Sequence, residues 1–270
     1  MNKFTDTHCH LDFDVFDVDR SEVIIRAQQA GLGFILNPGI DLPSSKTGIK
    51  LAHDYPGLIY AAVGFHPNYG SLWDKNSLNG LRMLAKDKSV LAIGEIGLDY
   101  YRQHTPIDLQ REILLQQLDL AKELALPVIL HTRESANDIL SILVNWVNSL
   151  PDNSKLKTYP GVLHSFSDTL EVAFKAISLN FMIGITGPVT FNNAAEIKNL
   201  VANLPLQSIL LETDSPFLTP HPYRGRRNEP ANIPLIAEMI AKLHKTTIDG
   251  VAETTYQNAR QLFNFQTLTK

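Results

Sequence analysis

The stretch Phe4-Thr5-Asp6-Thr7-His8-Cys9-His10 lies near the amino terminus and is rich in side chains that bind metals. Residues two apart on a β-strand point to the same side, so we expect His8 and His10 to project together and Cys9 to point away. Two imidazoles at one strand end can form half of a transition-metal site. The His-x-His pattern has low specificity, because two ordinary polar residues at a strand end produce the same pattern. The remaining ligands must therefore come from elsewhere in the chain.

The composition is that of a globular protein. The chain has 270 residues, of which 44% are hydrophobic and 19% are charged, and its formal net charge is −4. This length suits one large α/β domain or two small ones, and no linker or shift in composition marks a boundary, so we expect a single domain over 1–270. A mildly acidic chain does not indicate broad affinity for nucleic acids or membranes, although it permits a local basic patch.

Three features bear on location. The single cysteine, Cys9, excludes an intrachain disulfide and suits a reducing compartment. No apolar run approaches the ~18 residues of a membrane span, and the first residues lack the apolar core of a secretory signal. We therefore expect a cytoplasmic protein that does not contact membranes and works as a monomer.

Apolar runs alternate with helical periodicity along the chain. After the opening stretch, strands are predicted at 34–36, 58–65, 90–93, 127–130, 161–163, 181–185 and 209–212. Helices are predicted at 15–30, 44–53, 78–86, 105–126, 135–148, 170–179, 194–202, 233–243 and 248–263. In the fourth helix, Thr105 is the expected N-cap and Pro106 the expected first helical residue.

The predicted strands lack an alternation of polar and apolar residues. This is expected of a parallel sheet that is buried on both faces. Eight βα units in a chain of this length predict an α/β protein with a (β/α)₈ TIM barrel. The alternative is an open, doubly wound sheet.

Metal-capable side chains follow the predicted strands at the points where the strands end. In a TIM barrel the carboxyl ends of the strands meet at one face, and active sites lie there. Six residues that are distant in sequence are therefore expected to converge on one site. They are His8, His10, Glu95, His131, His164 and Asp214. A further histidine, His66, follows the third strand.

Four imidazoles and two carboxylates are enough ligands for two divalent ions. Glu95 is suited to bridge them because a carboxylate has two oxygens, and ions about 3.5–4 Å apart can polarise a phosphoryl or acyl oxygen and generate a hydroxide. The metal could be Zn²⁺ or Mn²⁺, which suit histidine ligands, or Mg²⁺, which prefers oxygen. Taken singly, each residue also has a structural interpretation, such as a barrel-mouth salt bridge for Glu95 or a helix N-cap for Asp214. The joint placement at strand ends favours the metal site.

Seven segments of the chain resemble the TatD family of metal-dependent hydrolases, also known as TatD-type deoxyribonucleases. These segments are Asp6-Thr7-His8-Cys9-His10-Leu11, Gly64-Phe65-His66-Pro67, Gly94-Glu95-Ile96-Gly97-Leu98-Asp99-Tyr100-Tyr101, Pro127-Val128-Ile129-Leu130-His131-Thr132-Arg133, His164-Ser165-Phe166, Leu211-Glu212-Thr213-Asp214-Ser215-Pro216 and Arg224-Gly225-Arg226-Arg227-Asn228-Glu229-Pro230. They extend over nearly the whole chain, and the set is highly specific.

The resemblance implies a distorted TIM barrel with one or two metals. The matching ligands of the first ion are His8, His10, Glu95 and Asp214, and those of the second are Glu95, His131 and His164. Asp214 would also take a proton from the attacking water, so Asp214 and Glu95 are the predicted catalytic residues. His66 is not counted as a ligand; it contacts a substrate phosphate or packs at the mouth.

The resemblance also implies a nucleic-acid substrate, usually DNA degraded from a 3′ end. Arg224 and Arg226 are the expected phosphate contacts, because guanidinium groups bind phosphate bidentately. Tyr100, or its neighbour Tyr101, is suited to stack on a base. In the alternative interpretation, the arginine run is a solvated loop that pairs with Glu229, and the tyrosines pack a long loop.

One position departs from the family pattern. After His164-Ser165-Phe166-Ser167 the family often has glycine, whereas this chain has Asp168. An added carboxylate near the mouth would repel a phosphate, which puts the substrate contacts of this loop in doubt. The ligands are unaffected.

The expected function is therefore metal-dependent hydrolysis of DNA ends from the 3′ side, with RNA or tRNA as further candidate substrates. One alternative is an acyl-ester hydrolase, such as a deacylase of mischarged aminoacyl-tRNA, or a hydrolase of small phosphodiesters. Another is a metal-holding protein that binds a partner without turnover, which the full set of six ligands disfavours. The arginines favour a phosphate-bearing substrate, but they fit a tRNA ester equally well.

Overall fold

Eight parallel strands alternate with helices in the computed structural model, which describes residues 4–265. The strands are β1 (Phe4–Asp6), β2 (Leu32–Pro38), β3 (Ile59–Val63), β4 (Val90–Asp99), β5 (Val128–Arg133), β6 (Gly161–Leu163), β7 (Met182–Ile185) and β8 (Ile209–Leu211). The α-helices are α1 (Arg20–Gln29), α2 (Leu42–Asp54), α3 (Ser77–Leu84), α4 (Ile107–Leu124), α5 (Ala136–Ser149), α6 (Leu170–Ser178), α7 (Ala195–Asn203), α8 (Ile233–His244) and α9 (Ile248–Phe263). The predicted single domain over 1–270 stays a prediction, and its ends, 1–3 and 266–270, lie outside the described residues.

The sheet closes on itself. Its strands are paired in the order β1 to β8, and the segment after β1 joins the segment after β8. The Thr7 N–H donates to the Leu211 carbonyl at 3.0 Å, and Cys9 forms a parallel bridge with Ser215. The TIM-barrel prediction is confirmed, and the open doubly wound sheet is wrong.

Alternate residues of the strands point into the barrel and fill its interior with apolar side chains. Phe34 of β2 lies there, and single residues from β3 to β8 pack with it, as in other TIM barrels. The end of α9 and the residues after it close one end of the barrel: the ring of Phe265 stacks on Phe34 with centroids 4.0 Å apart, and Phe263 lies beside it at 6.0 Å. The interior of the barrel is therefore closed by apolar packing at this end.

The predicted starts of the first and fourth helices were wrong. The first helix begins at Arg20 instead of residue 15, because residues Asp14–Phe16 form a separate turn of 3₁₀ helix that buries Phe16. The fourth begins at Ile107, and the hydroxyl of Thr105 does not cap it. That hydroxyl accepts a hydrogen bond from the Gly70 N–H at 3.0 Å, which ties the loop after β3 to the loop after β4.

A third difference concerns β4. It continues to Asp99, so Glu95 lies inside the strand, and His131 likewise lies inside β5. The expectation that all six candidate ligands lie at strand ends is wrong for these two. The register between β4 and β5 shifts between Ile93 and Ile96, and the Glu95 N–H donates to the carbonyl of Gly39, beyond the end of β2, at 2.7 Å.

Within residues 4–265, no helix is both long enough and apolar enough to cross a membrane.

The contact between β4 and β5 depends on Gly97. Its φ is +148°, and a Cβ at this position would lie 2.0 Å from the carbonyl oxygen of His131. We expect Gly97→Ala to lower the free energy of unfolding by about 3 kcal/mol, since overpacking and an unfavourable backbone conformation act together. Chemical denaturation measures this loss.

Gly225→Ala is the matched control. Gly225 also has a positive φ, +84°, but an added Cβ would meet nothing within 4 Å. The free energy of unfolding of Gly225→Ala should fall only by the backbone contribution, about 1–2 kcal/mol. Equal losses in the two variants would contradict the steric argument for Gly97.

Candidate metal centre

His8 and His10 lie on the segment that follows β1, beyond the regular strand. Backbone hydrogen bonds hold this segment between β2 and β8: the Cys9 N–H donates to Leu36 O at 3.1 Å, and the His10 N–H donates to Ser215 O at 2.8 Å. The two imidazoles project together, with their Nε2 atoms 3.2 Å apart. Cys9 is buried away from them, beside Ser215.

The Glu95 carboxylate lies at the centre of the site, and its two oxygens face different sets of imidazoles. Oε2 lies 3.4 Å from His8 Nε2 and 3.6 Å from His10 Nε2. Oε1 lies 2.9 Å from both His131 Nδ1 and His164 Nε2. The carboxylate therefore separates two groups of candidate ligands and is shared by both.

Asp214 lies on the side of His8 and His10. Its Oδ1 is 3.8 Å from the Nε2 atoms of both histidines, and its N–H donates to the carbonyl of His8 at 2.9 Å. Its backbone has a positive φ of 54°. The structure thus brings together all six residues that the sequence singled out as metal ligands.

His66 lies on the other side of Glu95. Its Nε2 atom is 3.5 Å from Glu95 Oε1, and its ring centroid is 4.3 Å from that of His131. Its Nδ1 atom accepts a hydrogen bond from the Asn68 N–H at 3.1 Å. The donor atoms of His66, Glu95 and His131 are close enough to share one ion.

Burial keeps the imidazoles of His8 and His10 neutral. It lowers the pKa of His8, and it lowers the pKa of His10 to about 3. His131 is the exception: although burial alone would lower its pKa, hydrogen bonds to Asp99 and Glu95 raise it to about 9.

The carboxylates respond in opposite ways. Burial would raise the pKa of Glu95, but the surrounding imidazoles, led by His164 and His66, outweigh it and hold that pKa well below its usual range. At Asp214 burial dominates and raises the pKa to about 7.

The donor set fits a divalent cation. Neutral imidazoles carry the lone pairs that metals require, and the Nε2 atoms of His8 and His10 point at each other and at Glu95. Imidazole nitrogens combined with carboxylate oxygens are typical ligands of Zn²⁺ and Mn²⁺.

Three more buried carboxyl groups support the site, and the sequence interpretation missed their roles. Asp99 Oδ2 lies 3.2 Å from His131 Nε2. Glu212 accepts hydrogen bonds from the Ser165 N–H at 2.8 Å and the Thr7 hydroxyl at 3.2 Å.

The third carboxyl group, Asp6, accepts hydrogen bonds from the N–H and the hydroxyl of Thr213 at 2.9 and 2.6 Å. The spacing contained a signal for all three residues. Asp6 and Glu212 each lie two residues before a predicted ligand, and Asp99 lies four residues after one, which are the intervals of side chains on one face of an extended chain.

All the candidate ligands except the fully buried His8 line a cavity of 1860 Å³. Arg224 and Arg226 line it, as the sequence interpretation requires, and so do His66 and Asp168. Neither arginine has an ion pair within residues 4–265. The Arg224 guanidinium lies over the ring of Phe191, 3.9 Å from its centroid.

The other two charged residues of this segment, Arg227 and Glu229, form ion pairs with residues of the first helical region. Arg227 pairs with Asp19 at 2.7 Å, and Glu229 pairs with Arg26 at 2.7 Å. The alternative of a loop paired with Glu229 is therefore wrong for Arg224 and Arg226.

The structure does not bring Tyr100 into the cavity. Its hydroxyl donates to Asp138 at 2.6 Å and accepts from Arg111 Nε at 3.0 Å, and Arg111 and Asp138 also form an ion pair. This network turns the Tyr100 ring toward α4 and α5, so a stacking role for Tyr100 lacks support from its placement. The neighbouring Tyr101 is exposed.

The model of the family described as "TatD related DNase" matches residues 5–264. The chain belongs to this TatD family. It is accordingly a metal-dependent hydrolase with the barrel of that family.

Individual TatD relatives agree with this assignment. An uncharacterized metal-dependent hydrolase, YabD of Bacillus subtilis, is 38% identical over 96% of this chain and 98% of its own. A protein of a Rahnella strain named 3′-5′ ssDNA/RNA exonuclease TatD is 36% identical over 94% of this chain and 95% of its own. The crystal structure of the TatD homologue YjjV from Escherichia coli superposes with a TM-score of 0.90 at 34% identity, covering 98% of this chain and 99% of that one.

Asp99 should control how this TatD protein presents His131 to a metal. Its carboxylate holds the far nitrogen of the ring and so leaves Nδ1 directed at Glu95. We expect Asp99→Ala to weaken metal affinity about 10- to 100-fold, as is typical for partners of ligating histidines. Competition with a chromogenic chelator measures this affinity.

Two further variants serve as a conservative substitution and a control. Asp99→Asn keeps an oxygen that accepts from the ring and should recover part of the affinity. Asp168→Ala removes a carboxylate that also lines the cavity and should bind metal like the wild type. Unchanged affinity in Asp99→Ala would rule out this role.

Proposed function

We propose that this TatD hydrolase removes nucleotides from the 3′ end of single-stranded DNA or RNA with the help of two divalent ions. One observation carries the proposal: Glu95 offers one oxygen to each of two groups of candidate ligands on the floor of a cavity lined by unpaired arginines. The exonuclease name of the Rahnella relative supports the same substrate.

The size of the cavity supports a polymeric substrate. Its 1860 Å³ exceeds the roughly 300–1,000 Å³ that is typical of sites for small molecules. Arg224 and Arg226 are exposed guanidinium groups on its wall, suited to bind phosphates bidentately. His66 would contact a phosphate near the floor.

The proposal assigns a role to each of the candidate ligands. His8, His10, Glu95 and Asp214 would hold one ion, and Glu95, His131 and His164 the other. Bound there, divalent ions would polarise the scissile phosphate and activate water.

Asp214 would be the general base. A base must lie within hydrogen-bond reach of the water it deprotonates, and Asp214 Oδ1 lies at the cavity floor beside the donor atoms of His8 and His10. Its carboxylate would accept the proton, and the mobile solvent of the cavity would carry it away. We also propose that the enzyme works as a monomer in the cytoplasm, where the unpaired Cys9 would stay reduced.

Asp214→Asn tests the nuclease proposal. We expect nucleotide release from single-stranded and 3′-recessed DNA to fall by about 10²–10⁴-fold, since the amide cannot accept the proton. The assay compares Mg²⁺, Mn²⁺ and Zn²⁺, and circular dichroism confirms the fold. Wild-type protein that is inactive on every nucleic acid, yet hydrolyses an aminoacyl ester, would overturn the proposal in favour of acyl hydrolysis.

Glu95→Gln tests the shared carboxylate. The substitution keeps the shape but removes the charge, so we expect the bound metal to fall from about two ions per chain to one or fewer. Metal analysis by mass spectrometry and anomalous scattering both measure it. Glu196→Gln is the control, because Glu196 is an exposed residue of the cavity wall that forms no ion pair with a histidine in the described part of the chain. Two fully occupied ions in Glu95→Gln would exclude bridging.

A further inference from the structure

Arg133 on the cavity wall and the neighbouring Tyr101 outside the wall form a pair that the proposed function does not use. The Arg133 guanidinium lies over the Tyr101 ring, 4.2 Å from its centroid. Tyr101 nevertheless remains 59% exposed, and the Arg133 side chain has no ion pair within residues 4–265. An aromatic face and an unpaired guanidinium are thus available side by side.

The position of Arg133 directs this pair toward the substrate. Arg133 ends β5 two residues after His131, so both side chains are on the same face of the strand. Arg133 also lines the cavity that contains the candidate ligands, together with Arg102 and His104 of the loop after β4. The pair therefore stands above the metal-binding floor, one step nearer to solvent than His131.

A similar arrangement exists across the barrel. In the circular order β1 to β8, β4 lies opposite β8, and the loop after β8 carries Arg224 and Arg226. Arg224 lies over Phe191, and Arg226 lies 5.6 Å from the ring centroid of Tyr223. Pairs of arginine and aromatic rings therefore occur on two opposite sides of the cavity.

The rim between these two sides, after β6 and β7, has the opposite charge. Asp168 and Glu196 line the cavity there, and their carboxylates would repel a phosphodiester backbone. A nucleic-acid strand that crosses the cavity from the β8 side to the β5 side avoids both carboxylates. Glu95 lines the same cavity between these two sides.

We propose that Tyr101 and Arg133 form a nucleotide subsite for single-stranded nucleic acid. A base would stack on the open face of Tyr101, and the Arg133 guanidinium would bind the adjoining phosphate, while the strand end reaches the metals. Stacking of this kind needs an unpaired base and tolerates any sequence, so the subsite would select single strands. This inference rests on the proposed nuclease function and adds the residues that hold the strand away from its cleaved end.

The test measures binding of a short fluorescent oligothymidylate by anisotropy. All proteins carry Asp214→Asn and are loaded with Mn²⁺, so that the strand is bound without being degraded. Tyr101→Ala and Arg133→Gln should each weaken binding about tenfold. In a plot of the logarithm of the binding constant against the logarithm of the salt concentration, Arg133→Gln should also make the slope shallower by about 0.7, because one phosphate contact is lost. Tyr101→Phe keeps the ring and should bind normally. Arg260→Gln, at an exposed arginine of α9 outside the cavity, should also bind normally.

An abasic scan separates stacking from a general loss of affinity. One abasic residue is moved along the oligonucleotide, and it should weaken binding most at a single internal position. Tyr101→Ala should abolish that effect at the same position, whereas Arg260→Gln should keep it. Stacking elsewhere would leave the positional effect intact in Tyr101→Ala.

The outcomes distinguish the subsite from the nuclease function. If Tyr101→Ala and Arg133→Gln bind as tightly as Arg260→Gln, the subsite is wrong while the nuclease proposal stands. If none of the proteins binds the oligonucleotide and the wild type does not degrade it, both proposals are wrong.

Discussion

The buried carboxylate of Glu95 is the constraint on which the site depends. A charge removed from water is costly unless partners compensate it. Here Oε2 faces the imidazoles of His8 and His10, and Oε1 faces those of His66, His131 and His164. Burial keeps two of these imidazoles, His8 and His10, neutral. They therefore offer nitrogen lone pairs to a metal but no positive charge to the carboxylate. The same arrangement that leaves Glu95 incompletely compensated makes the floor of the barrel a strong site for divalent cations.

A layer of buried carboxyl groups holds the site in place from below and beside it. Asp6 connects the end of β1 to the segment after β8 through Thr213, and Glu212 holds the backbone after β6 through Ser165. Glu212 fits because Gly184 of β7 has no side chain: a Cβ there would lie 2.1 Å from a carboxylate oxygen. Barrel closure and the orientation of the candidate ligands thus depend on the same hydrogen bonds.

The distribution of charge around the mouth matters more than the net charge of −4. Negative groups occupy the floor and the rim after β6 and β7, whereas the unpaired arginines that line the cavity lie on the sides of β4, β5 and β8. Such a surface attracts phosphates locally, in contrast to a basic face that would track a long duplex. The composition could not reveal this division, because it reports only the sum.

The class of fold and the six candidate ligands follow from the sequence, because local patterns encode both. Apolar runs mark strands buried on both faces, and polar residues near their carboxyl ends mark the mouth. Three features became visible in the folded chain alone: Glu95 lies inside a longer β4, Arg111 and Asp138 hold Tyr100 outside the cavity, and Asp99 is the partner of His131. These features depend on strand register and on partners distant in sequence, and no local periodicity specifies either one.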